Sequence, residues 1–405
     1  MSNKKIIKPL IFVNILCVAA MMSFLAVVGP IVRELGLMEW HAGVSVALAG
    51  VLWILTARFW GRKSDFKGRK PILLLGISGF AVSYLLLSLF ISFAVKNPPA
   101  VIISVLLLIG TRGLIGAFYS AIPPVSAALI ADNTEPDKRA SMMAVLGASN
   151  GIGMIIGPAM GGALAVLGLA VPLYAAAFMP ALAAVTAYFV LERDKPAQVQ
   201  RAEILKITDN RLRLPMAAAF LTMYSVVTSQ VCLGFYVIDR LGLDMTASAK
   251  VTGFALSCIG FAFIAVQIVV SKVRGVTPKT WLKAGASVSA IGFLMVSLFA
   301  FTQPALIISF CVATAGMGMI FPAFQALASN AVSKSEQGAA AGTVSAAQGI
   351  GIIAGPLLST LFYGIDPSLP FFAAVAAFAV LTVYSWKSRE VVYTEELTVE
   401  SGKIY

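Results

Sequence analysis

The chain has 405 residues, 59% of them with apolar side chains and only 12% charged. Soluble domains carry about 25% charged residues, and no soluble globule of this size hides so much apolar surface, so a lipid-embedded chain is expected. The net charge of +12 does not mark a nucleic-acid binder, because the basic residues fall between apolar runs rather than along one face.

A spanning helix needs about 20 apolar residues, since a hydrocarbon core of about 30 Å is crossed at about 1.5 Å per residue. Backbone groups in lipid must be paired internally, which makes such runs helices. The first run, 9–30, follows Lys4, Lys5 and Lys8 like a signal peptide. It reaches Pro30 without an A-x-A site, however, and exceeds the ~7–15-residue core of a cleaved signal. It is predicted to be the first span.

The second run, 42–60, leads into the loop GRKSDFKGRK at 61–70, where Asp65 stands among six cations of 58–70. Gly61 and Gly68 there allow close approach and tight turning. An acid so placed needs a special partner, and a helix N-terminus is one candidate; a solvated basic loop is the alternative. Runs 71–95 and 100–130 follow, the latter carrying Arg112, the one unambiguous ionisable group well inside a span. Burying it costs at least ~2.5–3.5 kcal/mol, so a functional role is the default expectation. A structural arginine bonding backbone carbonyls is the alternative.

Run 142–168 holds Gly147, Gly151, Gly153, Gly157, Gly161 and Gly162, with Pro158 among them. Spacing of four puts small residues on one face for close helix packing, and the proline permits a bend. This is predicted to be a surface on which the two halves of the molecule slide or rock. After run 172–191 comes the most polar stretch, 192–213. The second set of runs is 214–237, 249–271, 281–302, 304–330, 338–364 and 369–386. The expected fold is thus all-α and integral to the membrane, with twelve transmembrane helices. The expected divisions are a bundle at 1–192, a cytoplasmic linker at 193–213, a second bundle at 214–387 and a tail at 388–405.

With an even number of spans both termini lie on one side, and 25 of the 30 lysines and arginines fall on that side. The positive-inside bias puts both termini in the cytoplasm. Cys17, Cys232, Cys258 and Cys311 lie in apolar runs without metal-binding spacing, so neither a disulfide framework nor a metal site is expected, and no cofactor.

The two sets of runs are related. Residues 148–158 read ASNGIGMIIGP and 346–356 read AAQGIGIIAGP, an offset of 198 that also places Pro322 on Pro124 and Asn330 on Asp132. Parallel repeats with a site between them are a transporter design, in which rocking opens the site to each side in turn. Gly351, Gly355 and Pro356 are expected to do in span eleven what Gly153, Gly157, Pro158, Gly161 and Gly162 do in span five.

Here the sequence resembles the major facilitator superfamily over its whole length. The loop at 61–70 is similar to that family's G-x-x-x-D-x-x-G-R-K. Arg112 with Gly116 resembles its R-x-x-x-G element. Residues 153–162, GMIIGPAMGG, match G-x-x-x-G-P-x-x-G-G, the element associated with the twelve-span drug and metabolite antiporters. The resemblance implies a fold of two pseudo-symmetric six-helix bundles and rocker-switch exchange of a small molecule, with protons as the coupling ion. It also implies a cytoplasmic latch of Gly61, Asp65, Gly68, Arg69, Asp132 and Arg139. In that latch Asp65 docks on the start of span eleven near Gln337 to Ala339, and Arg69 pairs with Asp132. No such acid lies at 270–283, so the latch is one-sided.

The family's cavity is lined chiefly by spans one, four, seven and ten, which offer Asn14, Arg112, Tyr119, Tyr224, Gln230, Phe321 and Gln325. Asn150 and Gln348, equivalent in the repeat, reach it from spans five and eleven. This is a polar, uncharged cavity with one cation, and no span has a central Asp or Glu. An anion or zwitterion suits Arg112 and amide donors better than a lipophilic cation does. The expected cargo is therefore an anionic or zwitterionic metabolite such as a carboxylate siderophore, exported across the inner membrane; broad multidrug efflux is the alternative. Asp65, Asp132 and Glu34 are the acids near candidate gates, and His41 is expected to be an exposed loop residue. A membrane enzyme lacks HExxH, GxSxG or intramembrane Asp pairs here, no Walker-type loop supports ATP-driven transport, and a transporter-like sensor lacks a soluble signalling domain. The chain is expected to act as a monomer.

Overall fold

The computed structural model describes residues 4–191, 209–333 and 336–388. Most of the expected linker and nearly all of the expected tail lie outside those residues. The first half contains α1 (Lys4–Glu34), α2 (Glu39–Lys67), α3 (Arg69–Lys96), α4 (Val101–Tyr119), α5 (Ile122–Asp132), α6 (Pro136–Leu164) and α7 (Val171–Val190). The second contains α8 (Arg213–Leu241), α9 (Met245–Lys272), α10 (Pro278–Phe299), α11 (Gln303–Asn330), α12 (Gln337–Tyr363) and α13 (Leu369–Lys387). Among the described residues, counting α4 and α5 as one, twelve helices are long and apolar enough to cross a membrane.

The expected span 100–130 is broken at Ser120 and Ala121, just before Pro123 and Pro124 open α5. Neither proline can donate the hydrogen bond that would continue α4. Large apolar side chains such as Leu89, Phe178 and Phe189 point outward, as lipid in place of water permits. Between α2 and α3 the chain turns on Gly68 alone, at φ 91° and ψ 152°, a backbone region essentially closed to residues with a Cβ.

The glycine-rich helices have two working faces. A Cβ on Gly153, Gly157 or Gly161 would meet α1 at 2.6, 2.5 and 2.6 Å, so these three bind α6 to α1 within the first half. Gly351 and Gly355 likewise pack α12 on α8 within the second. This corrects the expected rocking surface: residues four apart share one face, and that face turns inward. Gly162, one residue further round, meets the second half instead, with a Cβ at 2.8 Å from the Ala249 carbonyl. A Cβ on Gly253 would lie 2.4 Å from the Pro158 carbonyl, and Ser257 donates to the Ile155 carbonyl at 2.9 Å. Across the other seam, a Cβ on Gly43 of α2 would meet Thr360 Oγ1 at 2.1 Å and the Pro356 carbonyl at 2.5 Å.

Candidate functional site

The end of the bundle that carries the loops at 61–70 and 133–139 is called the basic end here. At the opposite end the halves are closed. Gly29 of α1 and Gly234 of α8 touch, a Cβ on Gly29 falling 2.9 Å from the Gly234 carbonyl carbon. Beyond them Arg33 Nη2 lies 2.5 Å from Glu39 and 3.0 Å from Asp239. The Tyr363 hydroxyl donates to Asp239 at 2.8 Å. Four helices of both halves therefore meet in one charged cluster. Glu34, singled out in the sequence, is exposed and takes no part among the described residues. His41 is corrected too: it is 7% exposed, and its Nδ1 accepts the Met38 N–H at 3.0 Å, capping the first turn of α2.

At the basic end several glycines of both halves face open space. A Cβ on Gly61, Gly147, Gly338 or Gly342 would find no described atom within 4 Å. Asp65 pairs with Arg69 of its own half, and Arg69 Nε donates to Asp132 at 3.1 Å. Arg139 donates to the Thr134 carbonyl at 3.2 Å. The docking of Asp65 on Gln337 to Ala339 is not made in this conformation: Gln337 and Gly338 are exposed. Elsewhere at this end Arg211 pairs with Glu336 at 2.9 Å and with Asp209 at 2.8 Å. Arg211 and the Ser333 backbone and hydroxyl groups hold the Glu336 carboxyl down at about 2.

Between these ends, midway along the helices, a small pocket opens at the junction of the halves. The first half contributes Met22 and Leu25 of α1 with Met154 and Pro158 of α6. Facing them are Ser229 and Gln230 of α8, Phe263 of α9, and Thr314 and Met317 of α11, with further apolar residues of α8 and α9. None of the described residues that line it is charged. Three methionine thioethers give it soft, adaptable walls.

The predicted cavity residues divide. Gln230 lines the pocket, and Phe321 stands behind Phe263, edge to face at 5.8 Å. Asn14 donates to Ser149 at 2.8 Å and to Asn150 at 2.6 Å, joining α1 to α6. Asn150 and Gln325 are exposed and Gln348 is half-buried. Tyr224 packs its backbone against Gly351 and Gly355, and Tyr119 packs among Trp53 and Phe80 inside the first half.

Arg112 is corrected. It is 1% exposed, its guanidinium lying 4.2 Å from the Phe24 ring centroid and donating to the Tyr84 hydroxyl at 3.4 Å. It is enclosed by α1 and α3, and α4 contributes nothing to the pocket. An apolar run fixes an arginine's depth but not its direction around the helix. Thr314 and the methionines escaped sequence reading because nothing separates them from ordinary packing residues in an apolar run.

The chain matches the sequence model described as Major Facilitator Superfamily over residues 10–302 and 219–401. Among curated proteins it is 28% identical to the class D tetracycline resistance protein of Salmonella ordonez, over 80% of each chain. It is 26% identical to multidrug resistance protein 1 of Bacillus subtilis (strain 168), over 96% of this chain and 98% of that one. Among solved structures it resembles a bacterial homologue of the human lysosomal transporter Spinster in its inward-facing, occupied conformation. The TM-score is 0.71 at 15% identity, covering 94% of this chain and 92% of that one. A nucleoside transporter, NupG, gives 0.73 at 12% identity over 94% and 98%.

Proposed function

The chain belongs to the major facilitator superfamily and is a multi-pass membrane transporter, and from that premise we propose that it exports amphipathic, drug-like molecules from the cytoplasm in exchange for protons. The observation that carries this reading is the pocket between the halves, apolar on one wall and uncharged throughout. Such a site takes up an organic body by burial rather than by ion pairing. The relatives named for tetracycline and multidrug resistance support it, and tetracycline is a first candidate cargo. The anionic-metabolite reading depended on Arg112 facing a solute; caged by Phe24 and Tyr84, that cation is not offered to one.

In this reading the protein sits in the inner membrane as a monomer, with the basic end and both termini in the cytoplasm, the side favoured for lysine and arginine. The conformation described is then the one that admits solute from the cytoplasm. Export against a gradient requires a driving ion, and resemblance to the drug-exporting branch supports the proton in that role. The test is uptake of tetracycline into proteoliposomes holding the protein basic end outward, with and without an acidic interior. Uptake driven by the pH gradient is expected. Gradient-independent flux would make the protein a uniporter, and no flux of tetracycline or of other amphipathic drugs would remove the reading.

A further inference from the structure

Buried hydroxyls in these helices usually donate to the carbonyl one turn back. Thr222 does so to Ala218, Ser229 to Ser225, Ser309 to Ala305 and Thr343 to Ala339. Such back-bonding satisfies the hydroxyl inside its own helix and leaves it nothing to offer. Seven buried hydroxyls have no hydrogen-bond partner among the described residues, those of Ser23, Ser126, Thr134, Ser225, Thr228, Thr252 and Thr314. Of these only Thr314, 3% exposed, is on a residue that lines the pocket between the halves. On the same wall of the pocket Gln230 is half-buried, and its amide makes no hydrogen bond to another described residue. An unmade bond at a buried hydroxyl costs about 1–3 kcal/mol, a cost that a bound solute removes.

The placement of these groups is one-sided. The pocket's three polar side chains, Ser229, Gln230 and Thr314, come from α8 and α11 of the second half. The first half presents Met22, Leu25, Met154 and Pro158, all apolar. We infer that Thr314 and Gln230 form a hydrogen-bonding edge that selects solutes with an uncharged hydroxyl, carbonyl or amide group along one side of an apolar body. The inference rests on the export reading above and names the class of molecule the pocket takes. Directional bonds to one half alone also suit rocking. The solute stays bonded to the second half while the first half slides past its apolar face, where contact is non-directional.

The test compares two tricyclic probes of similar size, 1,8-dihydroxyanthraquinone with its hydroxyl–carbonyl edge and anthracene without one. Binding to the full chain in lipid nanodiscs is measured by equilibrium dialysis against empty nanodiscs. Thr314→Val, close in shape to the native residue, is expected to weaken the hydroxylated probe about threefold to tenfold, the loss of one neutral hydrogen bond. Thr314→Ser should retain wild-type binding, Gln230→Leu should weaken the same probe, and anthracene should not respond to any of these changes. Unchanged binding of the hydroxylated probe by Thr314→Val, or equal weakening of both probes, would overturn the hydrogen-bonding edge while leaving the export reading intact. If the wild-type protein binds neither probe, the pocket is not an amphipathic-solute site and both readings fall.

Discussion

Arg33 at the end of α1 and Asp239 at the end of α8 face each other with a nitrogen and an oxygen 3.0 Å apart, so the two halves are tied by charge at the end opposite the basic loops. Tyr363 from α12 bonds the same carboxylate and Glu39 from α2 the same guanidinium. Arg33 with Glu39 lies within the first half and Asp239 with Tyr363 within the second, so the Arg33–Asp239 pair is the contact of this cluster that crosses between the halves. An ion pair that exists in one conformation and not the other biases the equilibrium between them.

Asp239→Asn is therefore expected to shift the population toward a state open at that end. Partly exposed pairs are worth about 0.2–1 kcal/mol, so a shift of about 1.4-fold to fivefold is anticipated. Spin labels placed on the outer ends of α1 and α8 should report a longer distance in a larger fraction of molecules. An unchanged distance distribution would show that the glycine contacts alone hold this end.

Those glycine contacts carry a stronger prediction. A methyl group at Gly43 has to displace Thr360 Oγ1 from 2.1 Å and the Pro356 carbonyl from 2.5 Å. Forced packing of this kind costs about 1–3 kcal/mol. Because α2 and α12 belong to different halves, the strain can be relieved by parting them. Gly43→Ala should therefore reduce transport while the purified protein keeps its helical circular dichroism. Gly153→Ala, which wedges α6 from α1 inside one half, should lower thermal stability instead. The same loss of stability in both variants would contradict the division of faces.

Arg112 separates structure from binding. Arg112 has no carboxylate partner among the described residues, so an apolar side chain of similar length removes an unpaired buried charge rather than half of an ion pair, and Arg112 touches Phe24 and Tyr84 rather than the pocket. Arg112→Met is expected to leave the affinity for a pocket ligand within about twofold. A tenfold loss of affinity with unchanged thermal stability would place the guanidinium in contact with solute after all.

The Arg211–Glu336 pair sets an acid limit. Hydrogen bonding by Arg211 and Ser333 lowers the Glu336 carboxyl to about 2 in the folded protein, against about 4.3 in an unfolded chain. A depressed folded value contributes stability that is present above the unfolded pKa and lost as pH falls toward the folded one. Thermal stability should decline between about pH 4 and pH 2, and Glu336→Gln should flatten that part of the profile. An identical profile in the variant would mean that the pair does not persist in solution.

Much of this protein follows from its sequence alone. Apolar run length dictates twelve spanning helices, because lipid leaves the backbone no other way to pair its polar groups. The match between 148–158 and 346–356, seven residues of eleven, marks the halves as repeats, and the structure repeats the contact: Gly153 packs on α1 as Gly351 packs on α8. What periodicity cannot supply is which neighbour each face of a helix meets. Gly161 and Gly162 are adjacent in sequence, yet one touches Ser23 within its own half and the other Ala249 across the seam. Arg112 was legible as a buried cation but not as a caged one. The charged cluster of Arg33, Glu39, Asp239 and Tyr363, and the free hydroxyl of Thr314, exist only because distant helices converge. In a chain so uniformly apolar, sequence sets depth in the membrane through hydrophobicity, while rotation about each helix axis and the choice of partner are decided by tertiary packing.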